Sequence, residues 1–165
     1  LGARSTPGCL FCDLRAEPRR DEELYIRRRE PHGCLMLNAY PYTPGHMMAI
    51  PFRHAPGLAD LPHPELLELL ELAQLAERLL RRAYGCRAVH IGANLGAAAG
   101  AGVPAHLHLH IVARPESPLW DRCAEAVTAP ETLSTTRARL EAALAELARD
   151  PRRPAPPESG DKHDA

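Results

Sequence analysis

Two stretches of the chain repeat apolar residues every three to four positions. The first, Pro64 to Tyr84, sets Leu and Ala between Glu and Arg, opens on proline and stops at Gly85. Those are the period, start and stop of an amphipathic helix. The second, Glu131 to Arg149, closes before Asp150 and Pro151 and predicts a C-terminal helix. Residues 150–165 carry proline and charge with nothing to bury, which predicts a disordered tail.

Shorter apolar stretches predict strands at 24–27, 34–38, 46–51, 89–94 and 105–113. Turns at Pro31-His32, at Tyr42-Thr43-Pro44-Gly45 and in the Gly/Ala stretch from Gly96 to Gly102 separate them. Strands flanking one long helix, without regular strand and helix alternation, point to an α+β fold with a mainly antiparallel sheet. One domain over residues 1–149 accounts for the organised part of the 165-residue chain, and no internal repeat is present.

Composition narrows the partners. Lys+Arg number 20 against 21 Asp+Glu, a net charge of −1, so no strong overall field favours nucleic acid or an acidic membrane surface. Phosphate binding therefore has to be local. No apolar run approaches the roughly 20 residues that span a bilayer, and Leu1 to Gly8 lacks the apolar stretch of a secretory signal; the expected location is cytoplasmic. Five cysteines, with only Cys9 and Cys12 close together, do not form a disulfide framework. The pair reads as a metal site or a redox pair.

The candidate chemistry lies between Ala105 and Ala113, where His106, His108 and His110 alternate with Leu107, Leu109 and Ile111. With a strand period of two, the three imidazoles share one face, roughly 7 Å apart, and the aliphatic residues take the other. Buried imidazoles in a row satisfy their nitrogens only with dedicated partners. Upstream, Asn94 to Val103 holds small residues, among them Gly100 and Gly102, that allow backbone N–H groups close to an anion. A third piece, Asn38 to Pro51, is two apolar strands joined by a Pro/Gly turn, with Asn38 ending one and His46 starting the other.

These pieces resemble the histidine-triad (HIT) superfamily. HLHLHIV is similar to its signature of histidines alternating with apolar residues, and Pro44-Gly45-His46 before an apolar strand and Pro51 is similar to its proline-glycine-histidine segment. With Asn94-Leu95-Gly96 the likeness covers residues 9 to about 115. The phrase NAYPYTPGHMM most resembles the diadenosine tetraphosphate phosphorylase-like branch of actinobacteria. The resemblance implies a HIT-like fold, a five-stranded mainly antiparallel sheet with one long helix and a C-terminal helix, in a homodimer that merges two sheets. It implies a nucleotidyl hydrolase or transferase acting on dinucleoside polyphosphates or related nucleotides, with adenine as the expected base. His108 is then the nucleophile at the α-phosphorus, giving a nucleotidyl-histidine intermediate. His110 and His46 donate to non-bridging phosphate oxygens, Asn38 binds the ribose and Asn94 the phosphate side. One departure stands out: Gly102 occupies the place, four residues before the first triad histidine, where relatives carry Gln or Ser. Backbone N–H groups have to serve there.

The same resemblance completes the cysteine pair. Cys9 and Cys12 are joined by His54 and His106 as a Cys₂His₂ set for one structural zinc per protomer, a closed site that contributes to folding rather than chemistry. A redox role needs a CxxC in a thioredoxin-like β-α-β pattern, which the sequence lacks. The competing functional class is a nucleotide-binding regulatory module with little or no turnover. A hydrolase with zinc at the triad leaves Asn38 and His46 without a role.

Overall fold

The computed structural model describes residues 8–14, 18–23, 25–114 and 131–149. A helical turn, α1 (Leu10–Asp13), precedes β1 (Ile26–Arg29), β2 (Gly33–Leu37) and β3 (Met47–Pro51). The long α2 (His63–Tyr84) leads to β4 (Ala88–Gly92), β5 (Leu109–Arg114) and, after residues outside the description, α3 (Leu133–Ala148). The sheet runs β1-β2-β3-β5-β4 with every neighbour antiparallel. This is the α+β architecture expected. The proposed tail, 150–165, lies outside the described residues.

Both long helices form where the periodicity puts them. α2 ends on Gly85, whose left-handed φ of 61° lets its N–H close on the Arg81 carbonyl. Its leucines Leu69, Leu72, Leu79 and Leu80 pack on Leu35, Leu37, Met47, Leu109 and Ile111 of the sheet, with Leu140 of α3 covering the side. Each fully buried leucine contributes about 1.5–3 kcal/mol, against at most about 1 kcal/mol for exposed ion pairs such as Arg81–Glu77. Apolar burial therefore sets the position of α2.

The opposite face carries a smaller core of Phe11, Leu14, Ile26, Cys34, Met48, Ile50 and Phe52. Here the N-terminal segment lies across the sheet. Arg29 holds it by two contacts, a fork on the Asp21 carboxylate at 2.6–2.9 Å and a donation to the Leu14 carbonyl at 2.6 Å. The β2–β3 turn is fixed from below: Gly45 has φ 79°, and a Cβ there would lie 2.6 Å from Leu80 and 2.7 Å from the Tyr84 ring. Only glycine combines that dihedral with that approach.

One boundary differs in a way that matters. The strand expected over 105–113 begins only at Leu109. Leu107 N–H donates instead to the Ala55 carbonyl at 2.7 Å, so His106 and His108 sit on a segment leading into the strand. β1 and β4 are the edges of the sheet, and on β4 Ile91 is exposed. Among the described residues no helix is long and apolar enough to cross a membrane.

Candidate functional site

Across the face away from α2, successive strands deliver Met36 and Asn38 from β2 and its end, His46 and Met48 from β3 and its start, and His108 and His110 from the β5 segment. A cleft of about 530 Å³ opens there. Its apolar end is built by Leu10, Phe11, Leu14, Tyr25, Met36 and Met48; its polar end by Asn38, His108 and His110, with Gly100 and Gly102 at the rim. Glu23, Tyr40 and Tyr42 also border it. Sequence reasoning missed the wall made by α1. The signal was present, because Leu10, Phe11 and Leu14 recur at helical spacing beside the thiols.

The histidines form an ordered hydrogen-bond chain. Tyr42 N–H donates to His46 Nδ1 at 3.2 Å, which places the His46 proton on Nε2. That N–H donates to His110 Nδ1 at 2.9 Å and leaves the His110 proton on Nε2. Burial, reinforced by the neighbouring histidines, lowers His46 to about 3 and His110 to about 4, so both rings are neutral near pH 7. Only neutral rings can each accept on one nitrogen and donate from the other.

His108 is fixed separately: its Nδ1–H donates to the His106 main-chain carbonyl at 2.9 Å. Nε2 then keeps its lone pair. The ring is 5 % exposed, lies 4.9 Å from His110 between centroids and meets the Phe11 ring at 5.1 Å.

Some expectations shift. His46 is 1 % exposed and its donor is spent on His110, so it orients that ring from behind rather than reaching the cleft. Asn38 accepts Tyr40 N–H on Oδ1 at 3.0 Å, and its amide nitrogen lies 3.3 and 3.4 Å from the His46 nitrogens. Asn94 is exposed and outside the cleft lining. The small-residue loop winds into a turn at Ala97–Ala99, where Ala99 and Gly100 N–H donate to Gly96 and Ala97 carbonyls. Those two donors therefore do not cradle an anion.

His106 leaves the row of three. Its Nδ1 lies 3.3 Å from Cys9 Sγ and 3.7 Å from Cys12 Sγ, while His54 Nδ1 is 3.3 Å from Cys12 Sγ. The four ligand atoms of Cys9, Cys12, His54 and His106 lie within 4.8 Å of one another. A tetrahedral ion with metal–sulfur bonds of about 2.3 Å and metal–nitrogen bonds of about 2.0 Å separates S and N by about 3.5 Å. The donor set fits a metal ion. The His106 Nε2–H donates to the Pro51 carbonyl at 2.8 Å, the outer hydrogen bond that orients a ligating imidazole.

A five-stranded antiparallel sheet that presents histidines to a cleft on the face away from its long helix defines a narrow class of α+β protein. The chain belongs to the HIT domain family: the family model matches residues 27–117, more than half of its length. It is 35% identical over 138 residues to the AP-4-A phosphorylase of Mycobacterium tuberculosis, covering 79% of this chain and 67% of that protein. Over 82 residues, 50% of this chain and 44% of the relative, it is 35% identical to the asymmetrical bis(5'-nucleosyl)-tetraphosphatase of Schizosaccharomyces pombe. Among solved structures, a zinc-bound histidine triad family protein of Mycobacterium smegmatis superposes with a TM-score of 0.70 at 25% identity, over 86% of this chain and 96% of that one.

The neutral His46–His110 pair makes stability depend on pH. Unfolded, these rings take protons below the ordinary histidine value of about 6.5; folded, they resist until about 4 and 3. The unfolded state thus binds more protons in that window, so stability is full above pH 6.5 and falls as pH drops through 4. Urea unfolding midpoints should be level from pH 8 to 7 and decline from 6.5 to 4, with a shallower decline in His110→Asn. A midpoint that rises on acidification contradicts the assignment.

Proposed function

We propose that this protein is a nucleotidyl hydrolase or transferase that acts at the α-phosphate of dinucleoside polyphosphates or related nucleotides through a nucleotidyl-His108 intermediate. The observation that carries the reading is the His108 Nδ1–H bond to the His106 carbonyl, which commits Nε2 as an unprotonated nucleophile at the cleft floor. The nucleoside lies at the apolar end, against Met36, Met48 and the α1 wall, and its α-phosphate reaches the histidines. In the first step the Nε2 lone pair forms a P–N bond, and the bond from phosphorus to the bridging oxygen breaks with its electron pair leaving on the departing phosphate. In the second, an oxygen of water or phosphate attacks phosphorus and the P–N pair returns to Nε2; attacking water loses its proton to solvent. The His110 Nε2–H donates to a non-bridging oxygen, and His46 is its positioning residue.

The activities of two relatives, an AP-4-A phosphorylase and a bis(5'-nucleosyl)-tetraphosphatase, support this reading. A second reading, a binding module with little turnover, draws on Gly102, which borders the cleft without a side-chain donor. Purified wild-type protein should turn over a dinucleoside tetraphosphate. His108→Ala should lower kcat by about a thousandfold or more while nucleotide still binds. Rapid acid-free quenching and peptide mass spectrometry should find the nucleotidyl adduct on His108. An adduct elsewhere, or near-normal turnover by His108→Ala, overturns the nucleophile; binding without turnover favours the module.

We infer that Cys9, Cys12, His54 and His106 hold one zinc ion. When bound, it supplies structural cross-linking, and these residues then pin α1 as the cleft wall. Elemental analysis of protein purified without added metal should give about one zinc per chain. Cys12→Ser should lose the metal, lower the thermal midpoint by about 5–10 °C and weaken nucleotide binding through the displaced wall. Zinc near zero in folded, active protein contradicts the site.

The open β4 edge, with exposed Ile91, supports a homodimer that joins two sheets edge to edge. Sedimentation equilibrium should return twice the 18.1 kDa chain mass, and a monomer across the micromolar range contradicts it.

A further inference from the structure

A fourth histidine lies on the triad face, on β4. In the antiparallel register Gly92 stands opposite His110 and His90 opposite Val112, so His90 and Gly92 project on the same side of the sheet as His110. Gly92 has no side chain, and the His90 ring folds over it: a Cβ at Gly92 would lie 2.8 Å from His90 Nε2 and 3.4 Å from Cε1. Cross-strand partners stand roughly 5 Å apart, which brings His90 Nε2 to the flank of His110. The rings in contact with His110 are those of His46, Tyr42 and His108, so a gap separates it from His90. His90 is exposed and its ring makes no hydrogen bond among the described residues.

The order of strands gives that position a meaning. Reading β2, β3, β5, β4 across the face, the cleft passes from Met36 and Met48 through Asn38 to His108 and His110. The lining residues stop at His110 and His90 lies beyond them, so with the nucleoside over the apolar end and the α-phosphate at His108, the rest of a longer substrate leaves the cleft toward β4. We propose that His90 binds the phosphate chain on the leaving side of the α-phosphate, donating a hydrogen bond to an oxygen of the β- or γ-phosphate. This rests on the functional reading above.

Three further observations favour it. Imidazole donates an N–H in either protonation state, so the role needs no particular charge. The bare Gly102 borders the cleft without offering a side-chain donor to the chain of phosphates. Edge-to-edge pairing through β4 uses in-plane backbone groups and leaves this face open.

The test compares substrates that differ only beyond the α-phosphate. His90→Ala should raise KM for a dinucleoside tetraphosphate about tenfold with a smaller effect on kcat, the loss of one hydrogen bond to charged phosphate. Its kcat/KM for a nucleoside 5′-phosphoramidate, whose leaving group holds no phosphate, should change less than about twofold. His90→Gln should restore most of the tetraphosphate affinity, since its amide still donates. Equal losses on both substrates, or none on either, overturn the proposal, the first because it marks action through His110 or the fold. If wild-type protein turns over neither substrate the functional reading fails, and calorimetry decides this one alone. His90→Ala should then weaken a methylene-bridged adenosine triphosphate analogue and leave adenosine monophosphate unchanged; parallel affinities overturn it.

Discussion

His106 uses every polar group it has, and the rest of the site hangs on it. Its Nδ1 faces the Cys9 and Cys12 sulfurs, its Nε2–H holds the Pro51 carbonyl, and its own carbonyl takes the His108 Nδ1–H. The Cys₂His₂ cluster, the end of β3 and the tautomer of the candidate nucleophile are thereby tied to one residue that is 1 % exposed. A buried imidazole left with an unpaired nitrogen costs about 1–3 kcal/mol, so this triple satisfaction holds the segment in one arrangement. The late start of the strand accompanies this: Leu107 N–H and the His108 ring spend their hydrogen bonds on the Ala55 and His106 carbonyls rather than on a ladder with β3.

The same residue links structure at the N-terminus to the cleft. Phe11, between the two cysteines, meets the rings of His106 at 5.4 Å and His108 at 5.1 Å. A four-residue helical turn has no stability of its own in water. What holds α1 is its buried face, the Arg29 contacts behind Leu14 and the thiols over His54 and His106. The wall of the cleft is therefore conditional on contacts outside it, and changes at Cys12 or Arg29 reach its apolar end without altering His108 or His110.

Much of this was legible in the sequence, and the boundary is physical. The α+β class followed from periodicity, because α2 and α3 bury one face each and the leucine spacing records it. The grouping of Cys9, Cys12, His54 and His106 came through family resemblance and is met by the geometry. Pairing that depends on tertiary register was not legible. The link from Tyr42 N–H through His46 to His110 crosses a turn and two strands, and periodicity places His46 only at a strand end. His90 escaped for the same reason: a single histidine in an edge strand carries no pattern until the β4–β5 register sets it beside Gly92. The even spacing expected for three imidazoles failed because His106 turns to the thiols, and the pair that remains closes to 4.9 Å.

Direction is the property that the two buried systems share. A neutral imidazole is a donor at one nitrogen and an acceptor at the other, so a chain anchored on a backbone group has only one consistent polarity. The Tyr42 amide, which can only donate, sets the His46–His110 chain to end with an N–H on the cleft side. The His106 carbonyl, which can only accept, sets His108 to end with a lone pair. Reversing either anchor would give two donors or two acceptors against a phosphate. Two backbone groups of opposite character thus convert adjacent, chemically identical side chains into one that presents a lone pair and one that presents an N–H. Burial keeps both His46 and His110 neutral, and so preserves that assignment across the pH range in which an exposed histidine would lose it.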